Sequence, residues 1–317
     1  MLPHRRRART LHAGIFRRRR PHRQDGRGRP FHERSICPLP TLKDREIGIF
    51  FWAEPDAQAA LKAVKQCGVV SGQLAIDGAV VLNQETAQAW REALAAEDFH
   101  VCTVFAAYTG EDYADIPTVE RTVGFIPRDT RAEREVRTRE VIEFAASLGV
   151  KSFGCHVGYI PHDKNHPDFV GVRDMVRRIA DFAATHGMTY CLETGQEPAG
   201  QLLEFFNDVD RPNVKINFDP ANMILYGTGE PIAAFRLLRG HVISVHGKDG
   251  DWPDASKPGS LGCERLLGEG SVDIPKFMAA LKETGYTGPI CVESGVHGEA
   301  NRWEVLSRAV GILNSLR

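Results

Sequence analysis

Beyond Pro40 the apolar residues of the chain alternate between two rhythms. Short runs rich in Val, Ile and Phe, bounded by Gly, Pro or Asp, read as strands. They cover Ile47 to Trp52, Val69 to Ile76, Val101 to Tyr108, Ser152 to Val157, Thr189 to Glu193, Val214 to Asp219, Val242 to His246 and Ile290 to Glu293. Between them lie longer segments with apolar positions three or four apart, the spacing of one helix face. These are Asp56 to Gln66, Glu85 to Glu97, Arg131 to Leu148, Asp168 to Thr185, Pro198 to Asn207, Glu230 to Leu238, Ile274 to Glu283 and Arg302 to Leu316. Gly68, Gly149, Gly187, Gly240 and Gly285 close helices just before the next strand, as C-terminal capping glycines do. Eight βα repeats over residues 41–317 predict a single (β/α)8 TIM barrel of the α/β class. A doubly wound sheet is the alternative, but it seldom needs eight units. Two connections, Gly110 to Thr130 and Lys248 to Ser271, are long and follow strands, which places them at the mouth of a barrel as lid segments. Gly268-Glu-Gly270 followed by Asp273 reads as a turn and an N-cap.

Four of the strand segments share an ending: Tyr190-Cys-Leu-Glu193, Ile216-Asn-Phe-Asp219, Ile243-Ser-Val-His246 and Ile290-Cys-Val-Glu293. In each, a large apolar residue precedes a side chain able to hold a cation, so on a strand the two point to opposite faces. Leu192, Phe218, Val245 and Val292 would lie under helices while the polar group turns inward. Glu193, Asp219 and His246 are spaced by 26 and 27 residues, one βα unit each, and Glu293 follows 47 residues later, one unit plus an insertion. In a barrel all four meet at one mouth. The residues two positions earlier (Cys191, Asn217, Ser244, Cys291) are small or polar and would leave room beneath. Three carboxylates and an imidazole form an oxygen-rich donor set for one divalent metal ion, Mn2+ first, with Mg2+ or Co2+ as alternatives. No organic cofactor is expected.

Composition modifies this picture at the N-terminus. Twelve arginines against Asp25 and Glu33 leave residues 1–40 at +10, and the rest of the chain at −11. The head has no apolar core of a secretory signal and only Ser35 as serine, so it reads as a disordered extension without a part in the chemistry. An acidic body argues against nucleic acid as a partner. No apolar stretch reaches the roughly 20 residues that span a bilayer, so no membrane association is expected. Seven cysteines without CxxC spacing read as reduced residues of a cytoplasmic protein.

Leu192-Glu193-Thr194-Gly195, Asn217-Phe218-Asp219-Pro220-Ala221-Asn222, Val245-His246-Gly247-Lys248-Asp249, Leu267-Gly268-Glu269-Gly270 and Val292-Glu293-Ser294 resemble the sugar phosphate isomerase/epimerase group of the xylose isomerase-like TIM barrels. That superfamily also holds ketose 3-epimerases, inosose dehydratases and type-IV apurinic endonucleases. The similarity spans roughly residues 46–316 and is densest over 188–295. Carried over by position, it makes Glu193, Asp219, His246 and Glu293 the metal ligands and Glu193 and Glu293 the residues that also move protons. The implied reaction is isomerisation or epimerisation of a sugar, keto-sugar or related polyol through a metal-stabilised enediolate. A dehydratase or lyase acting through the same site is the alternative. Phosphodiester cleavage on damaged DNA is disfavoured, since only His156 and His246 stand clearly at strand ends.

His156, at the end of Gly154-Cys-His156, occupies a position where the family often contacts substrate oxygens. Lys248 shares the inward side of His246 and would hold a substrate oxygen; its alternative is an ion pair with Asp249. Asn222 stands where some ketose epimerases carry a second His. Trp52 and Trp252 could offer apolar faces to a sugar ring, while Trp303 reads as packing. The resemblance also leaves room for a homo-oligomer.

Overall fold

The computed structural model describes residues 45–296 and 301–317; the basic segment 1–40 and His297 lie outside them. Eight parallel strands close into a barrel: β1 (Ile47–Trp52), β2 (Ser71–Ile76), β3 (His100–Ala106), β4 (Ser152–Cys155), β5 (Thr189–Glu193), β6 (Val214–Phe218), β7 (Val242–Gly247) and, after a hairpin of β8 (Asp249–Asp251) and β9 (Cys263–Arg265), β10 (Ile290–Val292). Closure runs through β10, whose Ile290, Cys291 and Val292 register with Ile47, Gly48 and Ile49 of β1.

The helices α1 (Ala57–Lys65), α2 (Gln84–Glu97), α3 (Ile116–Thr122), α4 (Arg128–Ser147), α5 (Pro167–Thr185), α6 (Ala199–Val209), α7 (Pro220–Leu225), α8 (Pro231–Leu238), α9 (Ile274–Glu283) and α10 (Arg302–Leu316) connect the strands. The eight expected strands and helices are all present, with ends displaced by a few residues. Asp56, Asn83 and Asp273 accept N-cap hydrogen bonds for α1, α2 and α9. Gly68 and Gly149 take left-handed φ values of 79° each after their helices, whereas Gly240, expected in the same role, does not.

Outside the barrel the alternation in the strands has its expected result. Leu192, Phe218, Val245 and Val292 are each 0% exposed. Phe218 lies 5.5 Å from Phe235 of α8 and 5.9 Å from Phe277 of α9, ring centre to ring centre. Burial of each such side chain is worth about 1.5–3 kcal/mol. That apolar layer holds the polar neighbours of these residues facing inward.

Four short elements, α3, α7, β8 and β9, are absent from the periodicity. Each is too brief for a repeating apolar pattern: α7 has six residues and β8 and β9 three each. Three of them lie in the two long connections. Val119 and Val123 from the first pack with Tyr226, and Leu261 from the second joins them in a small apolar cluster separate from the main core. Ile116 N–H donates to the carbonyl of Gly259 at 3.0 Å. Both expected lid segments therefore meet over one end of the barrel.

Candidate metal centre and cavity

Strand ends β5, β6, β7 and β10 bring Glu193, Asp219, His246 and Glu293 together, with one potential ligand atom from each lying within 4.8 Å of all the others. His246 Nδ1 stands 2.8 Å from Glu293 Oε2, 3.0 Å from Glu193 Oε1 and 3.5 Å from Asp219 Oδ2. The opposite ring nitrogen is fixed: Nε2 meets Gln73 Oε1 at 2.7 Å, which makes Nε2 the donor and turns the Nδ1 lone pair toward the carboxylates. Gln73 in turn donates to Asn217 Oδ1 at 3.0 Å, and Ser244 Oγ donates to the same oxygen at 2.5 Å. The expected room beneath the site is thus taken by a hydrogen-bonded polar layer. Gln73, contributed by β2, is long enough to cross the interior and fill the space that the short side chains leave.

The donor set fits a divalent cation. Asp219 Oδ2, His246 Nδ1 and Glu293 Oε2 are buried without a hydrogen-bond partner, although each faces the others at short range. Buried polar atoms are seldom left this way unless an ion or water completes them. Asp219 Oδ1, by contrast, caps α7 through the N–H groups of Ala221 and Asn222, leaving its other oxygen for the cluster. Without a cation the carboxylates recruit protons. Burial opposes charge on His246, but Glu193 and Glu293 override it and hold the imidazole well above its ordinary pKa. Burial likewise opposes ionisation of Glu293, yet Lys248 and His246 hold its carboxyl well below the usual range.

Lys248 turns inward. Its Nζ lies 3.3 Å from Glu293 Oε2, 3.6 Å from Asp219 Oδ2 and 3.4 Å from Asn222 Oδ1. Burial works against the ammonium form, and the two carboxylates more than offset it. The alternative pairing with Asp249 does not occur; that carboxylate is occupied by backbone N–H groups. Asn222, in the first turn of α7, places Nδ2 3.5 Å from Glu193 Oε1. His156 Nε2 is 3.2 Å from Glu193 Oε2, and Gln196 Nε2 is 3.3 Å from His156 Nδ1. An amide nitrogen can only donate, so Nδ1 accepts and Nε2–H points at Glu193.

Above the cluster opens a cavity of about 370 Å³ lined by Glu193, Glu293, His156, Lys248 and Asn222 on one side and by Phe50, Trp52, Ala75 and Phe105 on another. Gly154 makes space for the Phe105 ring, since a Cβ there would lie 2.8 Å from it. Trp52 is on the cavity wall, 40% exposed. Trp252 is 45% exposed and does not line the cavity. It sits past the short β8 strand, a pairing the sequence pattern did not reveal. Trp303 packs against the core.

Further residues that sequence reasoning missed line the site. Glu111 and Tyr113 come from the first long connection, and Leu261, Gly262 and Glu264 from the second. Glu111 accepts from the N–H of Tyr108 and of Gly124, and burial pushes its carboxyl up. Glu264 accepts from Gly295 N–H at 2.6 Å and is also raised by burial. Gln73 carried a usable signal, a lone amide within an apolar strand, because a buried polar side chain demands partners. Glu111 and Glu264 carried none beyond membership in long loops.

The six described cysteines are free. Among the described residues no helix is long and apolar enough to cross a membrane.

A family model described as "Xylose isomerase-like TIM barrel" matches residues 61–314. The crystal structure of a xylose isomerase domain protein from Planctomyces limnophilus superposes with a TM-score of 0.82 at 38% identity, over 86% of this chain and 98% of that one. Curated relatives include an L-ribulose 3-epimerase of Methylomonas sp., 28% identical over 151 residues, 44% of this chain and 47% of that protein. The L-ribulose-5-phosphate 3-epimerase UlaE of Salmonella paratyphi C is 26% identical over 162 residues, 49% of this chain and 54% of that protein. The chain thus spans about half the length of these curated relatives.

Proposed function

Because the chain belongs to the xylose isomerase-like TIM barrel family, we propose that it is a divalent-metal-dependent isomerase or epimerase of a sugar, keto-sugar or related polyol. The observation that carries this reading is the buried cluster of Glu193, Asp219, His246 and Glu293, three of whose facing atoms lack a hydrogen-bond partner. These four residues would hold the ion, with Mn2+ best suited to the oxygen-rich set and Mg2+ or Co2+ as substitutes. When bound, it supplies electrophilic polarisation of a carbonyl and the neighbouring hydroxyl, which acidifies the C–H bond between them.

Proton transfer then falls to Glu193 and Glu293. They stand at the ends of β5 and β10, with β6 and β7 between them in the barrel, so they approach a bound substrate from different directions. Lys248 and His246 keep Glu293 ionised, as a proton acceptor must be at neutral pH. His156 donates through Nε2–H to Glu193 and orients that carboxylate. Lys248 and Asn222 hold substrate oxygens. The buried ammonium of Lys248 beside Glu293 also favours a second reading, in which it protonates a departing hydroxyl and the reaction is a dehydration. A product one water lighter than the substrate distinguishes that outcome.

The test is incubation of the Mn2+-loaded protein with ketoses and 3-keto sugars in deuterated buffer. Isomerase or epimerase chemistry requires deuterium at one carbon of substrate and product. Absence of exchange with every such compound would refute the assignment.

A further inference from the structure

We infer that Glu264 is a positioning residue, whose carboxylate clasps the backbone just beyond Glu293 and ties that glutamate to the β8–β9 hairpin; this rests on the proton-transfer reading above. Of the four cluster residues, Glu293 is the least held by its own segment. Glu193 and His246 belong to the paired strands β5 and β7. Asp219 is pinned by its cap on the N–H groups of Ala221 and Asn222 and by its own N–H, which donates to Thr194 Oγ1 at 2.8 Å. Glu293 lies one residue past β10, a strand of three residues, and its N–H reaches the Gly247 carbonyl only at 3.3 Å. Its side chain is 25% exposed, against 5% or less for the other three. A proton-transfer group displaced by about 1 Å loses much of its effect, so this position needs support from outside the strand.

That support comes from the hairpin. The N–H of Gly295, two residues past Glu293, donates to Glu264 Oε1 at 2.6 Å, and the Ser294 hydroxyl bonds to the same carboxylate. A Cβ on Gly295 would stand 3.3 Å from Oε2, so the backbone lies close against the whole group. Hydrogen bonds to an ionised acceptor are roughly twice as strong as those between neutral groups. The other arm of the hairpin grips the same residue: Lys248, immediately before β8, places Nζ 3.3 Å from Glu293 Oε2. Lys248 holds the side chain and Glu264 the backbone behind it.

The frame that carries both arms is itself anchored. Gly262 N–H donates to the Leu225 carbonyl at 2.8 Å, and a Cβ on Gly250, which stands opposite Glu264 in the hairpin, would lie 2.8 Å from Leu225 Cδ2. The hairpin is thus seated on α7, the helix that Asp219 caps. Asp251 and Arg265 pair across it at 2.6 Å. Through the clasp, the position of α7 and Asp219 also sets that of Glu293.

Hydrogen exchange and kinetics on the full chain test the clasp. In Glu264→Ala the Gly295 amide, followed by mass spectrometry on peptides spanning residues 292–296, should exchange about tenfold faster than in the wild type. In Glu264→Gln, whose Oε1 still accepts from that N–H, it should stay near the wild-type rate. With the Mn2+-loaded protein and L-ribulose, D-fructose and 3-keto-D-glucose in deuterated buffer, Glu264→Ala should lower kcat for label incorporation by about tenfold, with KM changed by less than about twofold. Glu264→Gln should recover most of that loss. Unchanged Gly295 exchange in Glu264→Ala overturns the clasp. A Glu264→Gln variant as impaired as Glu264→Ala overturns it too, by assigning the effect to charge, and a raised KM with kcat kept would make Glu264 a substrate contact instead. Label entering no sugar with the wild type counts against the proton-transfer reading, and Gly295 exchange then decides the clasp by itself.

Discussion

Around the barrel mouth, the ends of β1 to β3 present Phe50, Trp52, Ala75 and Phe105, whereas the ends of β5, β6, β7 and β10 present Glu193, Asp219, His246 and Glu293. The backbones of the two sides are equivalent parallel strands. Their side chains divide the work: one side gathers charge and the other excludes water from it, which strengthens every electrostatic interaction across the gap. The sides also depend on one another. Gln73 of β2 belongs to the apolar half, yet its Oε1 fixes the tautomer of His246 on the charged half. A site of this kind is therefore built across the barrel rather than on its acidic arc alone.

The largest effect should come from the charged side. Glu193→Gln or Glu293→Gln is expected to lower proton exchange by about 10²–10⁴-fold, the usual contribution of a positioned acid or base. The circular dichroism spectrum should be retained. Near-normal exchange in either variant would remove that residue from proton transfer. The dependence of one side on the other is probed by Gln73→Leu. It strands the Nε2–H of His246 and should weaken Mn2+ binding by about 10–100-fold. Metal titration followed by calorimetry reads this directly, and unchanged affinity would show that His246 needs no partner across the barrel.

Glu197 behaves differently from the cluster carboxylates although it follows Glu193 by four residues. Burial pushes it up to about 8, with its Oε1 accepting from Ile160 N–H at 2.7 Å. The folded state therefore holds a proton that the unfolded chain releases near the ordinary carboxyl value of about 4.3. Stability is lost as pH rises from there to about 8, and it does not change further above that. Glu197→Gln should flatten that slope by an amount on the order of a few kcal/mol across the window, measured by denaturant unfolding at several pH values. An identical slope in the variant would contradict the assignment. The smallest effect belongs to the apolar rim. Trp52→Ala should reduce kcat/KM by roughly three- to tenfold, on the order of 1 kcal/mol, with Tm nearly unchanged because the ring is 40% exposed. A large loss of stability instead would mark Trp52 as a core residue.

The same division explains what was legible in the sequence. Glu193, Asp219 and His246 follow strand periodicity at one-unit spacings and Glu293 at one unit plus an insertion, so register and handedness put them together without knowledge of any contact. Phe50 and Phe105 look like any core residue, since an aromatic on a strand carries no mark of the face it serves. Gln73 lies 173 residues from the histidine it orients, and no local rule connects them. Glu111 and Glu264 depend on how two long connections fold over the mouth. That geometry is set by the Ile116–Gly259 hydrogen bond and the Val119, Val123 and Tyr226 cluster, contacts that no periodicity encodes. Trp252 went astray for the same reason.

The divalent centre is tested most directly by Mn2+ titration of the purified chain, read by calorimetry and by electron paramagnetic resonance. One equivalent should bind per chain, with affinity rising with pH as His246 Nδ1 gives up its proton, and Asp219→Ala should abolish it while the fold persists. Undiminished binding in Asp219→Ala, or no binding of Mn2+, Mg2+ or Co2+ to the wild type, would contradict the metal centre.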